Sequence, residues 1–449
     1  MIPRYLPLEV YKKRRESLSQ KIRPVVDLIL YFNTLEKARN HDSEYTFRPD
    51  SSFLYLTGFP EAQSSFMLWR ESKGAPKFQM FTMNRDASME QWTGKRYGPK
   101  GAEKVFGAHK AFLNDELEAQ IREFLAARPK GISVRVLTNA FSEASLRDDL
   151  FALIDRCRGK LRQGLARIDS VEDIKPHVSR MRLVKDKHEI ETLRKAASIT
   201  VDGHLEALET LAPGRWEYEI QAAIEGEFQR QGALEPSYNS IVASGANATI
   251  LHYGSNNRQM KAGELLLIDA GCEYQNYAGD ITRTFPVSGT YSPEQMSIMK
   301  IVGEAHYESI RVAKNGVSYP KIHETATKVI VEGLKTLKIL KGNTKDIIKS
   351  GKHRKYFPHG TGHWLGLDVH DECPYTENGK DVKLKPGMVF TVEPGIYFLP
   401  EDKSVPAKYR GIGVRIEDDI LVKSRGPGEI LTKGLPRYAE EIEIHMRNL

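Results

Sequence analysis

From Ile190 onward, apolar residues recur at steps of three and four: Leu193, Ala197, Val201, Leu205 and Leu208. That is the period of one buried helical face. Asp186, with Glu189 three residues on, has the form of a capping box, so a helix is expected to begin there and to stop at Pro213-Gly214. A second helix is predicted over 216–230, with Ile220, Ile224 and Phe228 on one side. A third starts at Ser292-Pro293-Glu294-Gln295, where a cap serine, a first-turn proline and a glutamine at the third position coincide. Strand-like runs follow over 265–270, 280–287, 388–393, 414–416 and 420–422, punctuated by Gly, Asn and Asp. Helices and short strands interleave without strict alternation, and the connections suit hairpins. The prediction is an α+β domain with largely antiparallel pairing. Upstream, Phe53-Leu54-Tyr55-Leu56 and Phe78-Gln79-Met80-Phe81 read as strands and 115–127 as a helix, giving an N-terminal α/β domain. A polar, basic stretch over 169–187 marks the boundary, so the expected domains are 1–177 and 178–449.

The length of 449 residues fits two or three domains, each with its own core. With 40% hydrophobic and 28% charged residues, the chain is too apolar for a disordered one. No apolar run approaches the ~18 residues that cross a bilayer. From Met1-Ile2-Pro3-Arg4 onward, Lys12, Lys13, Arg14 and Arg15 interrupt the start before a secretory signal can form. Neither a leader nor a membrane partner is expected. The net charge of +7 is a mild excess for this length. The densest basic stretch, 341–355, contains Gly342, Asn343 and Gly351 and reads as a loop. Without a basic helix or an interleaved aromatic motif, nucleic acid is not an expected partner. Cys157, Cys272 and Cys373 are scattered, and none forms a CxxC pair. This supports neither a disulfide framework nor a thiolate zinc site, and the default compartment is a reducing cytoplasm.

The chemistry is carried by carboxylates in places that should be buried. Asp269 ends the run Leu265-Leu266-Leu267-Ile268, and Asp280 opens the next strand. The segment 271–278 between them is short and turn-prone, so the two aspartates can face each other across a hairpin. Glu393 and Glu417 follow the apolar runs Val389-Phe390-Thr391-Val392 and Val414-Arg415-Ile416. A carboxylate in such a place is expensive unless paired or metal-bound. Each has an ordinary explanation when taken singly: a turn opener at Asp269, a cap at Asp280, an ion-paired strand residue at Glu393. The histidines change the balance. His359, His363 and His370 lie in a segment whose Gly360 and Gly362 argue against a helix and for a loop passing close to a site. His252 lies in Ile250-Leu251-His252-Tyr253, where on its own it is read as an ordinary structural histidine. HExxH, GxSxG and Walker motifs are absent. Four carboxylates and one imidazole make a hard, oxygen-rich site for two divalent cations, which suits Mn²⁺ better than thiolate ligation would. Such ions sit about 3.5–4 Å apart and activate water for hydrolysis.

The set Asp269, Asp280, His363, Glu393 and Glu417 resembles the ligand pattern of the pita-bread metallopeptidases, which include methionine aminopeptidase, prolidase and aminopeptidase P. Ser237 to Val242 and Leu251-His252-Tyr253 resemble the segments before the first ligands. Tyr409 to Asp419 and the upstream Phe47 to Phe59 resemble aminopeptidase P in particular. The resemblance implies a pita-bread catalytic domain behind an aminopeptidase P-type domain. It implies metal ligation by all five residues, with Asp280 and Glu417 bridging two ions: Mn²⁺ foremost, Co²⁺ or Zn²⁺ as alternatives. His252, His359 and His370 match the family's histidines near the substrate, which would shuttle protons, orient the peptide and stabilise the tetrahedral intermediate. Tyr397 and Arg415 match residues that support the ligands.

The implied function is removal of an N-terminal residue that precedes proline. Prolidase activity on Xaa-Pro dipeptides is the alternative, and a non-catalytic peptide-binding protein is a minor one. One departure stands out. Where the family often has a valine-glycine pair after Asp371, this chain has Glu372-Cys373-Pro374, which bears on how the side of the cleft next to His370 holds substrate. Trp92, in Glu90-Gln91-Trp92-Thr93, is read either as a core or hinge residue or, by the resemblance, as a residue reaching the active site of a neighbouring subunit. The second reading implies a homodimer or homotetramer.

Overall fold

The stripe beginning at Ile190 folds as expected. In the computed structural model, which describes residues 5–158 and 166–449, Lys187–Thr210 is a helix opened by the Asp186/Glu189 capping box. Met1 to Arg4 of the leader reading lie outside the described residues. The chain divides into two compact units, Met1–Met181 and Arg182–Leu449.

The first unit is built on a six-stranded mixed sheet. Its strands run in the order Lys110–Leu113, Lys77–Thr82, Ser65–Trp69, Asp27–Phe32, Ser133–Thr138 and Arg167–Asp173. The central Asp27–Phe32 pairs antiparallel with Ser65–Trp69 and parallel with Ser133–Thr138. Leu28, Leu30, Met67, Val136 and Ile154 meet in the core of this unit. The expected strand at Phe53-Leu54-Tyr55-Leu56 is instead part of a helix, Ser51–Thr57. Every residue of that helix is buried, so no polar face reveals the helical period, and periodicity alone cannot separate such a run from a buried strand. Its ends carry the information: the Asp50 side chain accepts from the Phe53 amide at 2.7 Å, and Gly58 follows in the left-handed region at φ 69°. Its last carbonyls are met by buried guanidinium groups, Arg14 on Tyr55 O at 3.2 Å and Arg15 on Leu56 O at 2.8 Å.

The second unit pairs helix Lys187–Thr210 with Glu217–Arg230, and helix Pro293–Val312 with Pro320–Thr336. Its strand pairs are antiparallel, as predicted. Ile199, Phe228, Leu266, Ile268, Phe285, Ile298, Val302 and Ile416 join helices and strands in one core. The stretch 341–355 is not simply a loop. Asn343 accepts from the Lys345 amide at 2.8 Å and starts a helix, Thr344–Lys349, that buries Ile347. One buried residue in so short a helix is too little to show as a period.

Two hairpins shape the site, and each is broken in the same way. Leu265–Ala270 pairs with Ile281–Pro286, and beyond the break Cys272–Tyr274 pairs with Tyr277–Ala278. The segment 271–278 is therefore a small hairpin of its own rather than a plain turn. In the other hairpin Val389–Val392 pairs with Asp418–Leu421, and Gly395–Tyr397 pairs with Gly413–Arg415. The breaks fall at Gly271 and Gly279-Asp280 in one hairpin and at Glu393-Pro394 and Ile416-Glu417 in the other. Gly271 is required where it stands, because a Cβ there would lie 1.8 Å from Gly279 O. Interrupting a ladder frees side chains from the strict up-down alternation and aims them into one space.

Candidate active site

Asp269, Asp280, His363, Glu393 and Glu417 all line one cavity of about 950 Å³, together with His252, His359, His370 and Arg415. The hairpin breaks deliver Asp280, Glu393 and Glu417, while Asp269 comes from within the ladder, opposite Thr282. The loop bearing His363 is laid along the strand before Glu393: Thr391 N donates to His363 O at 2.9 Å, and Glu393 N donates to Thr361 O at 2.8 Å. Gly362 allows this approach, since a Cβ there would lie 1.9 Å from Thr391 O.

Ligand-type atoms of Asp280, His363 and Glu417 lie within 4.8 Å of one another. His363 Nε2 is 3.5 Å from Asp280 Oδ2 and 3.7 Å from Glu393 Oε1. Burial pulls the His363 imidazole down, but Asp280 and Glu393 overcome it and hold it at about 9. Burial pushes the Glu393 carboxyl up to about 7, and Asp280 and Asp269 add to it against His363 and Arg415. Burial also raises Asp269 and carries Glu417 well above the usual carboxylate range, with the neighbouring carboxylates reinforcing it. A cluster of buried acids that oppose one another's ionisation, with an imidazole nitrogen aimed between them, is the donor set that a divalent cation satisfies.

Hydrogen bonds with residues outside the five hold the acids in place. Tyr238 Oη lies 2.5 Å from Asp269 Oδ1 and 2.6 Å from Asp280 Oδ1. Thr282 Oγ1 donates to Glu417 Oε2 at 2.6 Å, and Thr391 Oγ1 donates to Glu393 Oε1 at 3.4 Å. The Asp280 amide donates to Asp419 Oδ2 at 3.2 Å. None of these four residues stands out in the sequence as a site residue. The sequence signal for Thr282 and Thr391 is weak: each is two residues from an acid, a spacing that shares a face only along an unbroken strand. Tyr238 carries no periodic signal. Tyr238→Phe is expected to lower metal affinity or activity by roughly 10–100-fold, the range for residues that orient ligands. Metal titration and initial rates of the variant check this, and a variant equal to the parent in both would contradict it.

Arg415 donates to Asp269 Oδ2, to Thr282 Oγ1 at 3.0 Å and to Tyr397 Oη at 3.0 Å. Tyr397 Oη is 2.9 Å from His359 Nε2, and His359 Nδ1 is 2.7 Å from Gly360 O. The carbonyl can only accept, so Nδ1 carries the proton and Nε2 accepts from Tyr397. Burial and Arg415 lower His359 to about 3 and keep it neutral. Both of its nitrogens are thus engaged within the protein.

His370 stacks on His363, with ring centroids 3.9 Å apart and planes at 20°. His252 and His370 are both exposed to the cavity. The segment behind His370 is fastened by Asp371, which is paired with Arg182 and, at 2.8 Å, with Lys185. The unusual Glu372-Cys373-Pro374 follows this anchor, and Cys373 is buried with its amide donating to Asp371 O at 2.6 Å. Trp92 is not a core residue: it is 85% exposed, on a helix, Ala87–Thr93, that buries no residue. Among the described residues no helix is long and apolar enough to cross a membrane.

Comparison with known proteins agrees with this picture. The family model for metallopeptidase family M24 matches residues 191–424, and that for the aminopeptidase P N-terminal domain matches residues 11–133. The Xaa-Pro aminopeptidase of Escherichia coli is 40% identical over 437 residues, covering 97% of both chains. The human Xaa-Pro aminopeptidase 3 is 34% identical over 414 residues, covering 90% of this chain and 78% of its own. Among solved structures, the Pseudomonas aeruginosa aminopeptidase PepP superposes with a TM-score of 0.94 at 37% identity, covering 100% of this chain and 99% of that one. A zinc-substituted E. coli aminopeptidase P in complex with product superposes with a TM-score of 0.93 at 39% identity, covering 99% of each chain. With a broken-hairpin site of five ligand-type residues, and with a mixed-sheet unit preceding it in the sequence, the chain belongs to metallopeptidase family M24, in the branch that carries the aminopeptidase P N-terminal domain.

Proposed function

We propose that this metal-dependent exopeptidase hydrolyses the first peptide bond of peptides with proline at the second position. In this reading Asp269, Asp280, His363, Glu393 and Glu417 would hold two divalent ions, with Asp280 and Glu417 the residues that would serve both. The observation that carries it is the convergence of all five side chains in one cavity, in a chain 40% identical to an Xaa-Pro aminopeptidase over 97% of its length. An oxygen-rich donor set without thiolate favours Mn²⁺ over a softer ion.

Two bound divalent ions supply Lewis acidity and a water nucleophile available at neutral pH. The protein does the rest. Arg415, Tyr397 and His359 form a chain of hydrogen bonds that ends on Asp269 at one side and on the Gly360 carbonyl at the other. With both nitrogens occupied, His359 serves to orient its loop and Tyr397 rather than to shuttle protons. His252 and His370 are left to face the substrate. Burial and His363 lower His370, so its imidazole is neutral and one ring N–H is available to a scissile carbonyl or departing nitrogen. Leu251, Val369 and Tyr375 offer the same cavity an apolar wall. The Xaa-Pro bond has no N–H to offer, so a site that acts on its carbonyl loses nothing by that absence.

Tripeptides Xaa-Pro-Yaa and dipeptides Xaa-Pro, assayed side by side with Mn²⁺, test the assignment. The tripeptide is expected to be the better substrate, and strict preference for the dipeptide would favour prolidase instead. A reducing compartment such as the cytoplasm fits the three buried, unpaired cysteines.

The exposure of Trp92 supports its use by a second copy. A flat aromatic on an otherwise exposed helix suits stacking on a proline ring at the mouth of a neighbour's cleft, in a homodimer or homotetramer. Trp92→Ala is expected to raise KM several-fold with unchanged unfolding, and dilution should lower specific activity. A monomer by light scattering, fully active at every concentration, would rule this out.

A further inference from the structure

His323 sits in the first turn of helix Pro320–Thr336, is not among the residues lining the cavity, and has no part in the mechanism above. Its ring is nevertheless tied on three sides. Nδ1 is hydrogen-bonded to Thr361 Oγ1 at 2.9 Å, and Nε2 meets Thr327 Oγ1 of its own helix at 3.4 Å. The Phe357 ring lies 5.5 Å away, and that same ring packs edge-on against His359 at 5.0 Å.

Thr361 lies between His359 and His363 and is buried. Its carbonyl accepts from the Glu393 amide at 2.8 Å, so its side chain and its backbone are held from opposite sides. The loop itself cannot supply this rigidity, because Gly360 and Gly362 flank Thr361 and leave the backbone free to turn. An aromatic ring fixed by its own helix through Thr327 is a stiff support for such a loop.

We propose that His323 is a positioning residue for peptide hydrolysis: through its Nδ1 hydrogen bond to Thr361 it fixes the glycine-flanked loop that aims His359 at Tyr397 and His363 at the carboxylates. The proposal rests on the active-site reading above, and it assigns His323 no contact with substrate.

The test compares His323→Asn, His323→Gln, His323→Ala and Thr361→Val in the intact protein. The asparagine side chain places an amide where Nδ1 stands, and glutamine places one where Nε2 stands. His323→Asn therefore keeps the Thr361 hydrogen bond, and His323→Gln loses it. The alanine, glutamine and Thr361 variants are expected to lose roughly tenfold in kcat with KM little changed, and His323→Asn to stay near the parent. Adding Thr361→Val to His323→Ala should bring little further loss, because the two remove one interaction. Mn²⁺ affinity, measured by calorimetry, should weaken in the same order, and this does not depend on turnover. A parent inactive on Xaa-Pro peptides would overturn the functional reading alone, since the Mn²⁺ affinities still decide whether His323 holds the loop. Equal kcat and equal Mn²⁺ affinity in parent and His323→Ala would overturn the proposal. So would asparagine and glutamine variants that fail alike.

Discussion

Glu417→Gln and Asp280→Asn are expected to abolish peptide hydrolysis while leaving the far-ultraviolet spectrum unchanged. The loss should exceed the roughly 100-fold that removal of a supporting contact brings, because each residue is assigned to both ions at once. Metal content should fall with activity. Stability should behave in the opposite sense to an ordinary core substitution. Burial, reinforced by Asp280, Glu393 and Asp269, holds the Glu417 carboxyl well above its usual range, so the fold already works against its charge. In the metal-free state Glu417→Gln should therefore unfold no earlier than the parent. An active variant with both ions in place would show that the bridging assignment is wrong.

His370→Ala should separate metal binding from chemistry. The ring stacks on His363 without reaching the carboxylates by a hydrogen bond, so its removal leaves the donor set intact. A rate loss of roughly 10²–10⁴-fold is expected, the range for proton-transfer and oxyanion groups, with both ions retained. Elemental analysis beside initial rates decides the matter. Loss of an ion in this variant would place His370 among the ligands.

The contrast between Lys187–Thr210 and Ser51–Thr57 shows what sequence patterns reveal. The first helix has one buried face and a capping box, and both are written in its residue types. The second is buried on all sides, so only Asp50 and Gly58 mark it as a helix. In the site, the four acids and one imidazole were legible because charge on apolar strands demands an explanation. Thr282, Thr391 and Tyr238 were not, since a hydroxyl on a strand or in a loop is ordinary until its acceptor is known. His359 was legible as a site residue, but its engagement at both nitrogens depends on Tyr397 and Gly360 meeting it in space. The pairing beyond the hairpin breaks also lay outside pattern reading: 271–278 reads as a turn rather than a small hairpin of its own, and no pattern marks 395–397 as a strand.

The central claim is metal-dependent cleavage of the Xaa-Pro bond. It is tested most directly by following products from one Xaa-Pro-Yaa peptide with the protein stripped by chelator and then restored with Mn²⁺. The account predicts no cleavage in the stripped protein and, on restoration, release of free Xaa and Pro-Yaa in equal amounts. Cleavage that survives metal removal, or restored protein that leaves the peptide intact, would contradict it.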